Sequence, residues 1–337
     1  MKSLRGVEDL RRWLKAPLTD GDRPFFQSAA RLTRQHFGRA MDLFTPLYLS
    51  NHCQNGCLYC GFHAARKQVR KTLSEPEILK EAQAIAADGH GSLLLLTGEA
   101  PHEVPPAYLT RAVEICRPLF SYLAMEVYPL ETEDYGRLLQ AGLDGVTLYQ
   151  ETYDPRRYDE LHPYGPKKDY QYRLNAPFRL LSAGTPFLTL GILLGLSDPS
   201  EDLACLFRQY RTLSHQFPAA DIALSFPRLR PVEGDANRYE PMPDPMLLKI
   251  IALTRLTFPR AAIVLSTRES RSFRHRALEI GVTRMSAASR TGVGGHAGSS
   301  ASEDQFTVQD DRSLDEIKAD LSENGFEPVC RNWHNLR

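Results

Sequence analysis

Cys53, Cys57 and Cys60 fall within eight residues, in the run Asn51-His52-Cys53-Gln54-Asn55-Gly56-Cys57-Leu58-Tyr59-Cys60. The spacing is C-x3-C-x2-C. Three thiolates spaced this way can hold three irons of a [4Fe–4S] cube and leave the fourth iron open. A cluster that only carries electrons normally takes four cysteines, so the missing ligand points to a substrate or cofactor on the open iron. A structural zinc site is the alternative use of the same thiols, completed by His52 or His63. Zinc motifs usually add a second, distant cysteine pair, whereas Cys116, Cys205 and Cys330 are scattered singly. The cluster is therefore the preferred reading.

Such chemistry needs a scaffold that holds its loops still. Short runs rich in Leu, Val, Ile or Tyr predict buried parallel strands at Leu43–Leu49, Ser92–Thr97, Tyr122–Val127, Gly145–Tyr149, Phe187–Leu193, Asp221–Phe226, Ala262–Ser266 and Val282–Ser286. Helical patterns alternate with them at Ser74–Asp88, Pro105–Cys116, Glu131–Ala141, Asp198–Phe217, Pro243–Phe258 and Ser270–Ile280. Ser74 and Glu77 have the spacing of a capping box. Eight strands alternating with helices predict an α/β fold, a (βα)8 barrel of the TIM type. Residues 1–40 are expected to form an N-terminal helical extension, with Phe25–Phe37 its clearest helix. Residues 41–290 form the barrel, and residues 291–337 a C-terminal loop and helix that close it. Ala288–Asp304, which includes Gly292, Gly294, Gly295, Gly298, Ser299 and Ser300, reads as a mobile loop. Leu314–Asn324 is the last amphipathic helix.

A barrel of this kind places chemistry at the C-terminal ends of its strands, and the unusual polar residues fall there. The cysteine loop follows the first strand and Thr97-Gly98-Glu99 the second; Glu126 ends the third. Gln150-Glu151 follows the fourth, Pro227-Arg228-Leu229-Arg230 the sixth and Thr267-Arg268-Glu269 the seventh; Ser286 and Ser289 end the eighth. Arg268 is the leading candidate for substrate: a fixed cation suits the carboxylate of an amino acid, and the Ser286 hydroxyl can add a hydrogen bond. Arg228 and Arg230 compete for that role. At least one of the three is expected to be structural, paired with Glu99, Glu126 or Glu151.

The cysteine spacing, with Tyr59 just before the last cysteine, resembles the signature of the radical S-adenosylmethionine (SAM) enzymes. The resemblance implies that SAM chelates the open iron and is cleaved to methionine and a 5′-deoxyadenosyl radical. Gly98-Glu99 resembles the superfamily's Gly-Gly-Glu element, with Thr97 in place of one glycine. By the same likeness Tyr59 borders the adenine, Glu151 and Arg173 contact the ribose and the SAM carboxylate, and Gly191–Gly195 flanks the adenine. Surface salt bridges are the plainer use of Glu151 and Arg173.

Longer stretches are similar to the 2-iminoacetate synthase (ThiH) family, the tyrosine lyases of thiamine thiazole synthesis. They are Asn51–Leu73, Thr97–Pro101, Glu126–Glu133, Gly142–Tyr153, Gly195–Asp198, Ser225–Pro231 and Leu265–Ser270, with Asp310-Asp311-Arg312 near the end of a match that runs from Phe25 to Trp333. The resemblance implies cleavage of the Cα–Cβ bond of L-tyrosine to 2-iminoacetate and p-cresol. It also implies a complex with thiazole synthase (ThiG), a flavodoxin or ferredoxin electron donor, and a substrate carboxylate held at Arg268 and Ser286. Two departures stand out: the Ser289–His296 loop lacks the family's Gln and aromatic residue, and the region after Pro231 diverges. A related lyase acting on tryptophan (3-methylindolic acid type) remains open. The hydrogenase-maturation tyrosine lyases carry a second cluster on a C-terminal cysteine triad, and only Cys330 lies there. A non-catalytic scaffold is the reading from another class.

The 337 residues carry 41 basic and 41 acidic side chains, which argues against nucleic acid or an anionic membrane as a partner. No stretch has the length and apolarity of a membrane span, and the first ten residues carry no apolar signal core. Six cysteines without a disulfide pattern fit a reducing cytoplasm.

Overall fold

All eight apolar runs form parallel strands in the computed structural model, which describes residues 6–230, 242–298 and 302–331. They are β1 (Ala40–Ser50), β2 (Ser92–Thr97), β3 (Tyr122–Glu126), β4 (Gly145–Glu151), β5 (Phe187–Ile192), β6 (Asp221–Ser225), β7 (Ile263–Leu265) and β8 (Arg284–Ser286). Neighbours pair in sequence order from β2 to β8, and β1 pairs with both β8 and β2, which closes the barrel. Along β1, Met41, Leu43, Leu47 and Leu49 are buried in the hydrophobic core, while Phe44, Pro46 and Tyr48 line the central cavity. That is the period-two alternation of a strand covered on both faces, and it explains the nearly unbroken apolar run.

A ninth strand, β9 (Glu327–Val329), pairs in parallel with Ala40–Asp42 at the start of β1. Its three residues, Glu-Pro-Val, carry no strand signal of their own.

The helices are α1 (Val7–Lys15), α2 (Arg23–Phe37), α3 (Glu75–Ala87), α4 (Pro106–Cys116), α5 (Thr132–Gln140), α6 (Pro155–Leu161), α7 (Tyr170–Leu174), α8 (Ala176–Ser182), α9 (Pro199–Gln216), α10 (Asp244–Thr257), α11 (Arg271–Leu278) and α12 (Leu314–Glu323). The Ser74 capping box forms: its N–H and hydroxyl both donate to Glu77, each at 2.8 Å. The connection after β4 breaks into α6, α7 and α8, which are too short to show periodicity. Asp154 and Asp169 cap the first two of these. The N-terminal helices dock on the barrel wall. Arg11 donates to Asp198 at the start of α9 (2.7 Å), and Lys249 of α10 caps α1 by donating to the Trp13 and Ala16 carbonyls (2.6 and 2.8 Å).

Strands β7 and β8 are only three residues long, and the segment before α12 braces their ends. The Thr267 carbonyl accepts the Gln309 N–H at 2.9 Å. Arg274 donates to the Ser286 carbonyl and to Asp310, both at 2.7 Å, and Arg312 grips Asp310 through Nε and Nη2, also at 2.7 Å. The Arg274 and Asp310 side chains are each 1% exposed, so this ion cluster is internal.

The Ala288–Asp304 loop, where it is described, packs against the barrel. Ser289, Thr291 and Val293 are buried. The buried Glu81 of α3 accepts the N–H groups of His296 and Ala297 at 2.7 and 3.0 Å. Glycines supply the turns here rather than slack, with Gly294 at φ +68° against Leu73. Pro231, Ser299, Ser300 and Trp333 lie outside the described residues. No helix among those described is long and apolar enough to cross a membrane.

Breaking a buried ion pair from one side costs about 3–5 kcal/mol, so Asp310→Asn is expected to lower the melting temperature sharply. Burial pushes the Asp310 carboxyl up, but the Arg312 hydrogen bonds and the Arg274 charge outweigh it and hold the group below its ordinary value. The carboxylate thus stabilises the fold fully above its unfolded pKa of about 3.9 and loses that contribution as pH falls through the lower folded value. Melts of both proteins between pH 7 and 3 should show a constant gap that closes only below about pH 4; a gap already closing near pH 6 would refute the account.

Candidate active site

One cavity opens at the C-terminal ends of the strands, and Cys53, Cys57 and Cys60 line it. So do Tyr59, Gly98, Glu99, Glu151, Arg173, Arg268 and Ser286. Gly195 is the exception. It makes a left-handed turn (φ +110°) against the Leu229 side chain, and Leu193 lines the cavity in its stead.

The cysteine loop is clamped by the end of β2. The Gln54 N–H donates to the Glu99 carbonyl at 2.8 Å, and the Asn55 amide to the Glu99 carboxylate at 2.7 Å. Gly98 is required sterically: a Cβ there would stand 2.2 Å from the His52 carbonyl oxygen and 3.1 Å from the Cys53 Cβ. Burial pushes the Cys57 and Cys60 thiols up. Among the described residues no group of three or more His, Cys, Asp or Glu side chains is arranged around a single point where one ion would sit. A polynuclear cluster asks for something else, one thiol for each of three irons. Three cysteines spread along one cavity wall supply that.

Tyr59 is fixed by a relay. His162 Nδ1 lies 2.7 Å from the Tyr158 carbonyl and must donate to it, so Nε2 accepts from the Tyr59 hydroxyl at 2.8 Å. Burial lowers the His162 pKa to about 3, which keeps the ring neutral and able to accept.

Glu151 and Arg173 are buried, which excludes the surface salt-bridge reading. A bulge between Tyr149 and Glu151 puts Glu151 at φ +72°, a costly conformation for a residue other than glycine. Its carboxylate meets Lys167 at 2.5 Å. Burial raises the Glu151 carboxyl, but the nearby Lys167 and Arg173 charges leave it below its ordinary value. Lys167 also lines the cavity, yet it sits in a single 3-10 turn (Pro166–Lys168) between α6 and α7, too short for any pattern to single it out. Arg173 donates to the Tyr149 carbonyl at 3.1 Å and approaches Glu99 at 3.5 Å; its Nε has no partner. The Thr97 and Ser289 hydroxyls, also on the cavity wall, lack partners too. Orphaned donors grouped around a cavity suit a charged, polar cofactor such as SAM.

The three arginines sort themselves. Arg228 forks onto Glu269 and reaches Asp244 at 2.7 Å, and Arg230 meets Glu269 at 2.9 Å. Their partner is therefore Glu269, not Glu99, Glu126 or Glu151. Arg268 has no carboxylate in ion-pair range among the described residues and lies 3.6 Å over the Phe306 ring. Ser286 accepts the Thr267 N–H at 2.9 Å, which leaves its hydroxyl proton free to donate. Gln305 bridges this side to the cysteines, accepting from Tyr48 at 2.8 Å and lying 4.0 Å from the Cys60 sulfur. Sequence reasoning missed Gln305 and Phe306, which belong to no periodic element. It looked instead to His296, but that ring donates to the Pro46 carbonyl at 2.9 Å and does not line the cavity.

Residues 47–208 match the Radical SAM superfamily, and residues 225–327 match the Biotin and Thiamin Synthesis associated domain. The 2-iminoacetate synthase of Escherichia coli (strain K12) is 41% identical over 308 residues, spanning 91% of this chain and 82% of that protein. The chain belongs to the 2-iminoacetate synthase family of radical SAM enzymes. The family member from Salmonella typhimurium is 38% identical over 97% of this chain and 87% of its own length. The [FeFe]-hydrogenase maturase HydG from Carboxydothermus hydrogenoformans superposes with a TM-score of 0.90 at 33% identity, over 97% of this chain and 76% of HydG. As a radical SAM enzyme the chain works with a [4Fe–4S] cluster and SAM.

Gly98→Ala should displace the cysteine loop. Iron and sulfide analysis after anaerobic reconstitution is expected to show clearly less than a full cluster, while Gly136→Ala, which meets nothing within 4 Å, keeps the wild-type content. Full loading of Gly98→Ala would show that the loop tolerates the shift.

Proposed function

We propose that this chain is a radical SAM lyase that cleaves the Cα–Cβ bond of L-tyrosine to 2-iminoacetate (dehydroglycine) and p-cresol, for thiamine thiazole synthesis. The observation that carries this is the 41% identity to a 2-iminoacetate synthase along 91% of the chain. The site supports it by gathering three thiols and an arginine that has no carboxylate partner among the described residues in one cavity.

We assign Cys53, Cys57 and Cys60 to the cluster. When bound, the cluster and SAM supply the 5′-deoxyadenosyl radical that takes a hydrogen atom from the substrate. The rest is positioning. Arg173, with its free Nε, suits the SAM carboxylate; Glu151, steadied by Lys167, suits the ribose hydroxyls; Tyr59, held by His162, offers a fixed ring edge to the adenine. Arg268, kept flat by Phe306, is aimed at the substrate carboxylate, and Ser286 adds a hydroxyl. The barrel wall keeps water away from a radical that would otherwise be quenched. The iminoacetate would pass to a thiazole synthase (ThiG) partner, with flavodoxin or ferredoxin as reductant, in the cytoplasm.

The deciding experiment is anaerobic. Reconstituted protein, SAM and a strong reductant are incubated with tyrosine, and separately with tryptophan, and products are read by mass spectrometry. Tyrosine should give p-cresol and glyoxylate, the hydrolysis product of iminoacetate. An indole product would reassign the substrate, and the cause would be sought at Phe306 and Gln305 rather than His296. Cys57→Ala should yield no 5′-deoxyadenosine; wild-type yield would sink the cluster assignment. Arg268→Ala should weaken tyrosine binding at least about tenfold and leave SAM affinity unchanged, as expected for loss of a charge-assisted contact. Unchanged tyrosine affinity would remove Arg268 from the substrate site.

A further inference from the structure

Charge pairing inside the cavity leaves two side chains over. Glu99 takes Asn55 and faces Arg173; Glu151 takes Lys167; Glu269 takes Arg228 and Arg230. The Tyr48 hydroxyl donates to Gln305 at 2.8 Å and the Tyr149 hydroxyl to Ser225 at 3.0 Å. Among the described cavity-lining residues, Arg268 is left without a carboxylate in ion-pair range, and Glu126 without a cation in that range or a hydrogen-bond donor. Glu126 ends β3, and Arg268 follows β7. In a closed ring of eight strands those two positions stand on opposite walls.

An α-amino acid carries a carboxylate and an ammonium group on one carbon. A cavity with one spare cation and one spare acid on facing walls matches that pair of charges. We propose that Glu126 receives the α-ammonium group of the substrate while Arg268 and Ser286 receive its carboxylate, so that the reacting carbon is held between the two walls. This rests on the amino-acid lyase reading above and extends it to a residue with no assigned role there. The carboxyl has reason to accept a cation. Burial raises its pKa to about 7, against the pull of the Arg268, Lys167 and Arg173 charges and with the push of Glu151. An arriving ammonium would supply the direct ion-pair contact that these more distant charges do not. It would also explain why an acid stands there: a pocket meant only for an aromatic ring would gain nothing from it.

The test compares L-tyrosine with 3-(4-hydroxyphenyl)propanoate, which lacks only the amino group, by equilibrium binding to the reconstituted protein with SAM present. Wild type should prefer tyrosine at least about tenfold. Glu126→Gln should lose that preference by weakening tyrosine alone, with affinity for the analogue and for SAM unchanged, which also reports that the variant is folded. Glu126→Asp, which keeps the charge, should retain part of the preference. Arg268→Ala should weaken both ligands together. Between pH 8 and 6 wild-type tyrosine affinity should fall as Glu126 takes up a proton, and Glu126→Gln should flatten that limb. An undiminished preference for tyrosine in Glu126→Gln overturns the assignment and leaves the tyrosine reading standing. Failure of wild type to bind tyrosine or to release p-cresol overturns both.

Discussion

Closure of the barrel through β1 is the constraint on which the site depends. That strand alone pairs with both ends of the sequential sheet, and it also takes β9 on its outer edge. Parallel pairing points every strand the same way, so eight C-terminal ends converge on one rim. Cys60 and Gln305, 245 positions apart in the chain, become neighbours only because of this closure. The seam at β7 and β8 is short, and the Arg274–Asp310–Arg312 cluster holds it. The C-terminal segment therefore also pins the Thr267 and Ser286 carbonyls, and with them the frame of Arg268.

Charged side chains line the cavity, and among the described residues most of them are answered. Pairs such as Glu151–Lys167 and Arg228–Glu269 fix side chains that would otherwise swing. Buried pairs of this kind add little net stability, because desolvation offsets the attraction. What they contribute is direction. Each pair removes one acid and one cation from competition for ligands, so the charged groups left unanswered among the described residues, Arg173 Nε, Arg268 and Glu126, are the ones available to bind. The hydrogen-bond relay from Tyr158 through His162 to Tyr59 serves the same end with neutral groups.

Much of this was legible along the chain. The apolar runs are local and periodic, and they located all eight barrel strands to within a few residues. The capping box at Ser74 and the cysteine triad are also local patterns. The misses have physical causes. β9 is a strand only because an open edge of β1 is there to receive it. Lys167 lies in a single 3-10 turn and Gln305 and Phe306 outside any helix or strand, so no period marks a face there. The Gly-rich loop shows no period along the chain, and its contacts with Glu81 and Pro46 are made across more than 200 residues.

The sequence by itself determined the class of chemistry and the alternation of strands and helices, since both depend on spacings of a few residues. It also marked Arg268, Ser286 and Glu126 as strand-end residues. Only the tertiary structure decided which arginine lacks a carboxylate among the described residues, because that depends on where Glu269 points. It alone showed that His296 faces away from the cavity and Phe306 towards it. Charge pairing and cavity lining are contacts between distant segments, and they take their meaning from the fold that brings those segments together.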